Sequence, residues 1–157
     1  MLNARKFFSH ATIGFGLIAL NTFAFSPNVQ AQDSEDGCAG TIEAVASRMS
    51  RGRNLTIDYN RRDATRTYED APSGRPIEQI LLMRGSSTDS ILNSPAFMQT
   101  RAKMIIESCK DVGAVSFALR GSSEAVTFGL MPNGTVRKFS CTESTPVSWR
   151  EKLCGGW

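Results

Sequence analysis

Arginine is the chemically most suggestive residue type in this chain, because six arginines crowd into one short segment. Only Asp58 and Asp63 oppose them nearby. A guanidinium fork matches carboxylate, sulfate and phosphate groups, so Arg61, Arg62 and Arg66 are candidate contacts for an anionic ligand or a glycan. The six members of the cluster are Arg48, Arg51, Arg53, Arg61, Arg62 and Arg66.

The same cluster has a simpler interpretation as a solvent-exposed helix end and loop. Its charges would then be balanced elsewhere, for instance by Glu69 and Asp70. On this favoured interpretation, replacing Arg61 and Arg62 by alanine leaves folding nearly unchanged, because exposed charges contribute at most about 1 kcal/mol each.

Trp149 is a candidate for a different kind of contact. Its ring could stack on a sugar or pack against a protein partner. The favoured alternative is that Trp149 covers the open end of the predicted sheet.

The sequence offers few residues for catalysis. Its single histidine, His10, lies in a predicted leader, so the mature chain lacks the commonest general base and the commonest metal ligand. A hydrolase using carboxylates is the alternative from the enzyme class, and it needs two acidic side chains that converge on one pocket. The acidic residues considered for this role are Asp58, Asp63, Glu69 and Glu78. We assign no catalytic residue.

The four cysteines favour disulfides over a metal site. Cys38, Cys109, Cys141 and Cys154 are separated by 71, 32 and 13 positions, which is not the spacing of a zinc site. No glycine-rich phosphate loop follows a predicted strand, and we predict neither a metal nor a cofactor.

The first 31 residues predict export. Arg5 and Lys6 precede an apolar run that ends before Pro27, and Val29-Gln30-Ala31 has the small residues a signal peptidase requires. The run is too short and interrupted for a permanent membrane span. We therefore expect residues 1–31 to be a cleaved signal peptide and residues 32–157 to form a single disulfide-braced domain, secreted or periplasmic.

The charge of that domain argues against a nucleic acid partner. Without Arg5 and Lys6, 16 basic and 15 acidic residues remain, a net charge of +1. A nearly neutral domain has no global attraction for nucleic acid.

The first half of the mature chain predicts one helix and a set of strands. Apolar residues at helical spacing indicate a helix over 39–51, and alternation over 54–60 indicates a half-buried strand. We also predict a strand over 65–68 and a second strand over 77–83 that pairs with it in antiparallel orientation. A short helix starting at Pro76 is the alternative for that last segment.

The second half predicts the centre of the fold. Ser94 as N-cap and Pro95 as first helical residue begin a helix that reaches Cys109. Three alternating strands follow, joined by short turns with the hairpin signal Asn133-Gly134. They run over 115–119, 126–130 and 136–141. The predicted fold is α+β: a small antiparallel or mixed sheet with a C-terminal three-stranded meander, packed by this central helix and the N-terminal helix.

Four cysteines allow three disulfide connectivities, and we predict the pairs Cys38–Cys109 and Cys141–Cys154. The first pair would tie the two helices together. The second would close a short loop and hold a tail that has few apolar anchors.

Four segments of the chain resemble small secreted proteins of unknown function associated with cyanobacteria. The segments are Tyr68–Pro76, Leu92–Pro95, Phe128–Gly134 and Trp149–Cys154. The resemblance implies export and a single compact domain, and it implies no catalytic residue.

These observations favour an exported, non-catalytic protein with a binding or envelope-structural role. Its partner would be a glycan, an anionic ligand or a secreted protein. An inhibitor of a secreted hydrolase, presenting the loop 142–153, is a second possibility within the binding class.

Overall fold

The described part of the chain contains three α-helices and seven strands. The computed structural model describes residues 33–155, with side chains from residue 37 onward, so the predicted leader 1–31 lies outside the described residues. The helices are α1 (Asp33–Ser50), α2 (Thr88–Leu92) and α3 (Pro95–Ser108). The strands are β1 (Thr56–Asp63), β2 (Ile77–Arg84), β3 (Val112–Leu119), β4 (Ala125–Leu130), β5 (Val136–Lys138), β6 (Ser140–Thr142) and β7 (Glu151–Leu153).

The first five strands form one mixed sheet in chain order, from β1 to β5. β1 and β2 are antiparallel, β2 and β3 are parallel, and the remaining neighbours are antiparallel. The parallel pair is possible because α2 and α3 form the crossover between β2 and β3. The predicted α+β class with a mixed sheet is confirmed.

The predicted C-terminal meander is interrupted. The third predicted strand, 136–141, divides at Phe139 into β5 and β6, and β6 pairs in parallel with β7 in a separate two-stranded sheet. The ring of Phe139 lies directly over Gly129 of β4, where an added Cβ would come within 2.2 Å of it. The chain therefore leaves the main sheet at Phe139, which packs across the sheet face instead of extending the strand.

The prediction of a strand at 65–68 is wrong. Residues Ala64–Arg66 form a single 3₁₀ turn. The carboxylate of Asp63 accepts hydrogen bonds from the backbone N–H of Thr65 at 3.0 Å and from its hydroxyl at 2.6 Å. Such local bonds compete with a strand ladder. Residues 77–83 are a strand rather than a helix, as predicted, but the antiparallel partner is β1.

Helices α1 and α3 cover one face of the sheet and enclose the main core. Met49 and Val45 of α1 and Ile105 of α3 pack with Phe117 and Phe128 of the strands. β3 is buried along nearly its whole length, and not only at alternate residues as predicted, because both faces of this central strand are covered.

The two ends of α3 are completed in different ways. Pro95 is the first helical residue, as predicted, but the Ser94 side chain does not cap the helix; its hydroxyl donates to the carbonyl of Ser90 at 2.7 Å. At the other end, Arg75 donates from Nη1 to the carbonyl of Ile106 at 2.6 Å and to that of Val112 at 3.1 Å. Arg75 thereby supplies a cation to a helix end that has no basic residue of its own.

Both predicted disulfides are present. Cys38–Cys109 joins α1 to the residue that follows α3, and both of its cysteines are buried. Cys141–Cys154 joins β6 to the residue after β7 and closes the small second sheet.

Candidate functional site

The candidate arginines Arg61, Arg62 and Arg66 all form ion pairs within the protein. Arg61 pairs with Asp111, and Arg66 lies 3.5 Å from Asp63. These partners are different from Glu69 and Asp70, which the sequence suggested. Arg61 and Arg62 thus pair with residues that tertiary contacts bring close, whereas Arg66 pairs with its sequence neighbour Asp63.

Arg62 is the member of the cluster that is not simply on the surface. Its Nη2 donates to Oε2 of Glu78 at 2.7 Å, and the Glu78 side chain is only 1% exposed. Oε1 of the same carboxylate accepts from the Ser116 hydroxyl at 2.5 Å, and Ser116 lies 2.7 Å from the hydroxyl of Thr127. The surface interpretation of Arg62 is wrong, because its guanidinium neutralises a carboxylate inside the fold.

Tyr68 lies beside this buried pair and packs edge-on against Phe139 and Trp149, with ring centroids 5.5 and 5.3 Å apart. Burial is the main reason why the pKa of Tyr68 is raised above its usual range, and the Glu78 carboxylate adds to the effect. The phenol therefore stays protonated in the folded protein at pH values where an unfolded tyrosine ionises.

We expect alkaline pH to weaken the fold through Tyr68. The stabilising contribution is complete below pH about 10, where an unfolded tyrosine begins to ionise. It is lost as the pH rises toward the raised folded-state pKa, by up to about 1.4 kcal/mol per pH unit. Denaturant unfolding between pH 8 and 11 measures the slope. Tyr68→Phe should reduce it, and Tyr59→Phe, which removes a half-exposed phenol, should not. Equal slopes in both variants would contradict the prediction.

Trp149 is 3% exposed and fills the second face of the sheet. Its indole Nε1 donates to the carbonyl of Leu130 at 2.9 Å, and its backbone N–H donates to the Asp70 carboxylate. The ring edge also approaches Gly113 and Gly129, where there is no room for a Cβ. Trp149 thus covers the sheet and has no open face for stacking on a sugar.

The loop 142–153 is partly turned inward. Val147 and Trp149 are buried, and Val147 forms a bridge with Tyr68. Before Val147, residues 143–146 of this loop are exposed.

An open cleft lies between the start of α1 and strand β1, and we call it the α1/β1 cleft. Its volume is about 480 Å³. The helix side of the cleft is an apolar wall formed by Cys38, Ala39 and Ile42. The half-exposed ring of Tyr59 lies on the strand side. The lining residues are Cys38, Ala39, Ile42, Tyr59, Asn60, Arg61, Gln79, Lys110 and Asp111.

Gln79 is the unusual member of this lining. Its side chain is fully buried, and Nε2 donates to the carbonyl of Asn60 at 2.8 Å. That bond sets the orientation of the amide, and it leaves Oε1 buried with no hydrogen-bond partner among the described residues. An unsatisfied buried acceptor costs about 1–3 kcal/mol, so a donor that reached Oε1 would recover that free energy.

Charged side chains line the same cleft. Arg61 and Asp111 form their ion pair here, and Lys110 adds a further cation. Of the three sequence candidates among the arginines, Arg61 is the one that lines this cleft. Its neighbours Gln79, Lys110 and Asp111 were not identifiable from the sequence, because Gln79 meets β1 through strand pairing and Asp111 through its ion pair with Arg61.

The four acidic residues considered for hydrolysis do not line the α1/β1 cleft. Asp58 pairs with Arg120, Asp63 caps the 3₁₀ turn, and Glu78 is buried with Arg62. The hydrogen bonds from Thr65 are the main reason why the pKa of Asp63 lies below its usual value. Within residues 33–155, no group of three or more His, Cys, Asp or Glu side chains could hold a metal ion.

The fold and these contacts define a disulfide-linked α+β domain with helices on one face of its main sheet. No protein-family model, no curated protein and no solved structure matches the chain. Among the helices of the described residues, none is long and apolar enough to cross a membrane.

Proposed function

We propose that this chain is an exported, non-catalytic binding protein that holds a small ligand in the α1/β1 cleft. The ligand has an apolar body, an anionic group and a hydrogen-bond donor. Its body packs against Ile42 and Tyr59, and its anionic group meets Arg61 and Lys110.

The observation that carries the proposal is the orphaned Oε1 of Gln79. A buried polar group without a partner is rare in a folded protein and calls for an explanation. A ligand whose donor bonds to this oxygen provides one, and the apolar cleft beside Gln79 is large enough for a small molecule.

Export is part of the same proposal. Its support is the leader at residues 1–31, with its apolar run and small residues before Gln32. The two disulfides add to this support, because such bonds persist in oxidising compartments. We place the mature protein in the periplasm or outside the cell.

Binding of 1-anilinonaphthalene-8-sulfonate tests the cleft, because this dye combines an apolar aromatic body with an anionic sulfonate and an N–H donor. We expect one dye molecule to bind per mature protein, and the rise in dye fluorescence measures the binding. Ala39→Phe fills the cleft and should lower the affinity by about tenfold or more, since a bulky ring takes the space of the ligand body.

Ala44→Phe is the matched control. Ala39 and Ala44 are both exposed alanines of α1, but Ala44 does not line the cleft. The control should bind the dye like the parent protein. Absence of dye binding to the parent, or equal losses in both variants, would overturn the proposal.

A further inference from the structure

A second concentration of positive charge lies at the opposite edge of the main sheet, beside β5 and β7. Arg137 and Lys138 belong to β5. Arg150 immediately precedes β7, and Lys152 belongs to it. Arg137 and Arg150 line one cleft of about 350 Å³, which we call the Arg137/Arg150 cleft. Met131, Pro132 and Asn133 complete its lining.

These two arginines differ from the sequence candidates because neither forms an ion pair within residues 33–155. The salt bridges of that part of the chain use Arg61, Arg62, Arg66, Lys103 and Arg120 as their cations. The Arg137/Arg150 cleft has no carboxylate in its lining. Asp70 lines an adjoining groove with Arg150, and its carboxylate accepts the backbone N–H of Trp149.

The backbone at Arg150 supplies an independent observation. Its φ is +95°, and among the described residues no other non-glycine residue has a positive φ. Glycine adopts this conformation without strain, whereas a residue with a Cβ is destabilised there. Arginine at this position therefore has a cost to the fold, and a role for its guanidinium in the cleft explains why that cost is tolerated.

The neighbouring lysines show that positive charge is crowded along this edge. Partial burial, and then the proximity of Lys138, lower the pKa of Lys152. Both lysines line a neighbouring pocket and not the Arg137/Arg150 cleft, so the anion site proposed below consists of Arg137 and Arg150.

We propose that the Arg137/Arg150 cleft binds a sulfate or phosphate monoester carried on an organic skeleton. The two guanidinium groups donate to the ester oxygens, for which their planar forks are suited. Met131 and Pro132 give the skeleton an apolar wall, which a free inorganic ion would not use. This cleft shares no lining residue with the α1/β1 cleft, so the proposal is independent of the function proposed above.

Titration with glucose 6-sulfate and glucose 6-phosphate, followed by NMR of the mature protein at about 0.15 M salt, tests the site. We expect shifts confined to residues around 131–137 and 149–152. Glucose and inorganic sulfate separate the contributions of the skeleton and of the anion. Both should bind more weakly than the esters, and inorganic sulfate binding as tightly as glucose 6-sulfate would overturn the assignment to an ester.

Arg137→Gln and Arg150→Gln should each weaken ester binding by about tenfold, as expected for loss of a charge-assisted hydrogen bond. Arg84→Gln is the control, because Arg84 is exposed and forms no ion pair within the described residues. It should change the affinity less than twofold. Equal losses in the control and the cleft variants would overturn the proposal by showing attraction to net charge alone.

Arg150→Gly separates binding from folding. Because glycine removes the strain at φ +95°, this variant should melt at the parent temperature or above it while losing ester affinity. Unchanged affinity in this folded variant would overturn the role of Arg150.

Discussion

Arg62→Ala should lower the free energy of unfolding by about 3 kcal/mol, whereas Arg61→Ala should lower it by at most about 1 kcal/mol. Removing Arg62 leaves the Glu78 carboxylate, 1% exposed, without its cation inside the fold. The expected loss is at the lower end for a broken buried pair, because the Arg62 side chain is itself 30% exposed. Arg61 and its partner Asp111 are 41% and 49% exposed, so water solvates both groups when they separate.

Denaturant unfolding of the two neighbouring variants at neutral pH measures this difference. Arg62→Met combined with Glu78→Met is the decisive further variant, since replacing both members of a buried pair by apolar residues removes the stranded charge. It should recover most of the stability that Arg62→Ala loses. Equal losses for Arg61→Ala and Arg62→Ala would show that Glu78 is not held by Arg62.

Removing the Cys38–Cys109 disulfide should have the largest effect of any single covalent change. The bond closes a loop with a sequence separation of 71. Without it the unfolded chain gains conformational entropy, which lowers the free energy of unfolding by about 4 kcal/mol. Cys38→Ala with Cys109→Ala also opens small gaps between α1 and α3, because both cysteines are buried there. Guanidinium unfolding of the double variant measures the loss.

The second disulfide provides the comparison. Cys141–Cys154 has a sequence separation of 13, for which the same reasoning gives about 3 kcal/mol. Its removal should loosen β6 and β7 while the five-stranded sheet keeps its protection from hydrogen exchange. A greater loss of global stability for this pair than for Cys38–Cys109 would contradict the prediction.

Local patterns in the sequence were sufficient to predict α1, α3 and most strands, whereas the short helix α2 was not predicted. Pro95 begins α3, apolar residues at helical spacing continue it, and the alternation near 54–60 corresponds to β1. These features depend on residues close in sequence, whose preferences act before any tertiary contact forms. The disulfide pairs were predicted from the positions of the cysteines. One pair would link the two predicted helices, and the other would close a short loop in the tail, as the structure shows.

Pairing of the strands was harder to predict. Residues 77–83 have the composition of a strand, yet nothing near them indicates that β1 rather than 65–68 is the antiparallel neighbour. Likewise, the strand predicted over 136–141 ends at Phe139 because Gly129, on the neighbouring strand β4, leaves space for its ring. Strand register and strand ends depend on partners in other strands.

The sequence by itself determined the class of the fold and the scarcity of residues suited to catalysis, and it favoured the two cysteine pairs that the structure shows. Only the tertiary structure decided which charges are neutralised. It pairs Arg62 with the buried Glu78, and within residues 33–155 it gives Arg137 and Arg150 no ion pair along their cleft. The physical reason is that an electrostatic interaction depends on distance and on exposure to water. Residues adjacent in sequence, such as Arg61 and Arg62, can therefore differ completely in both.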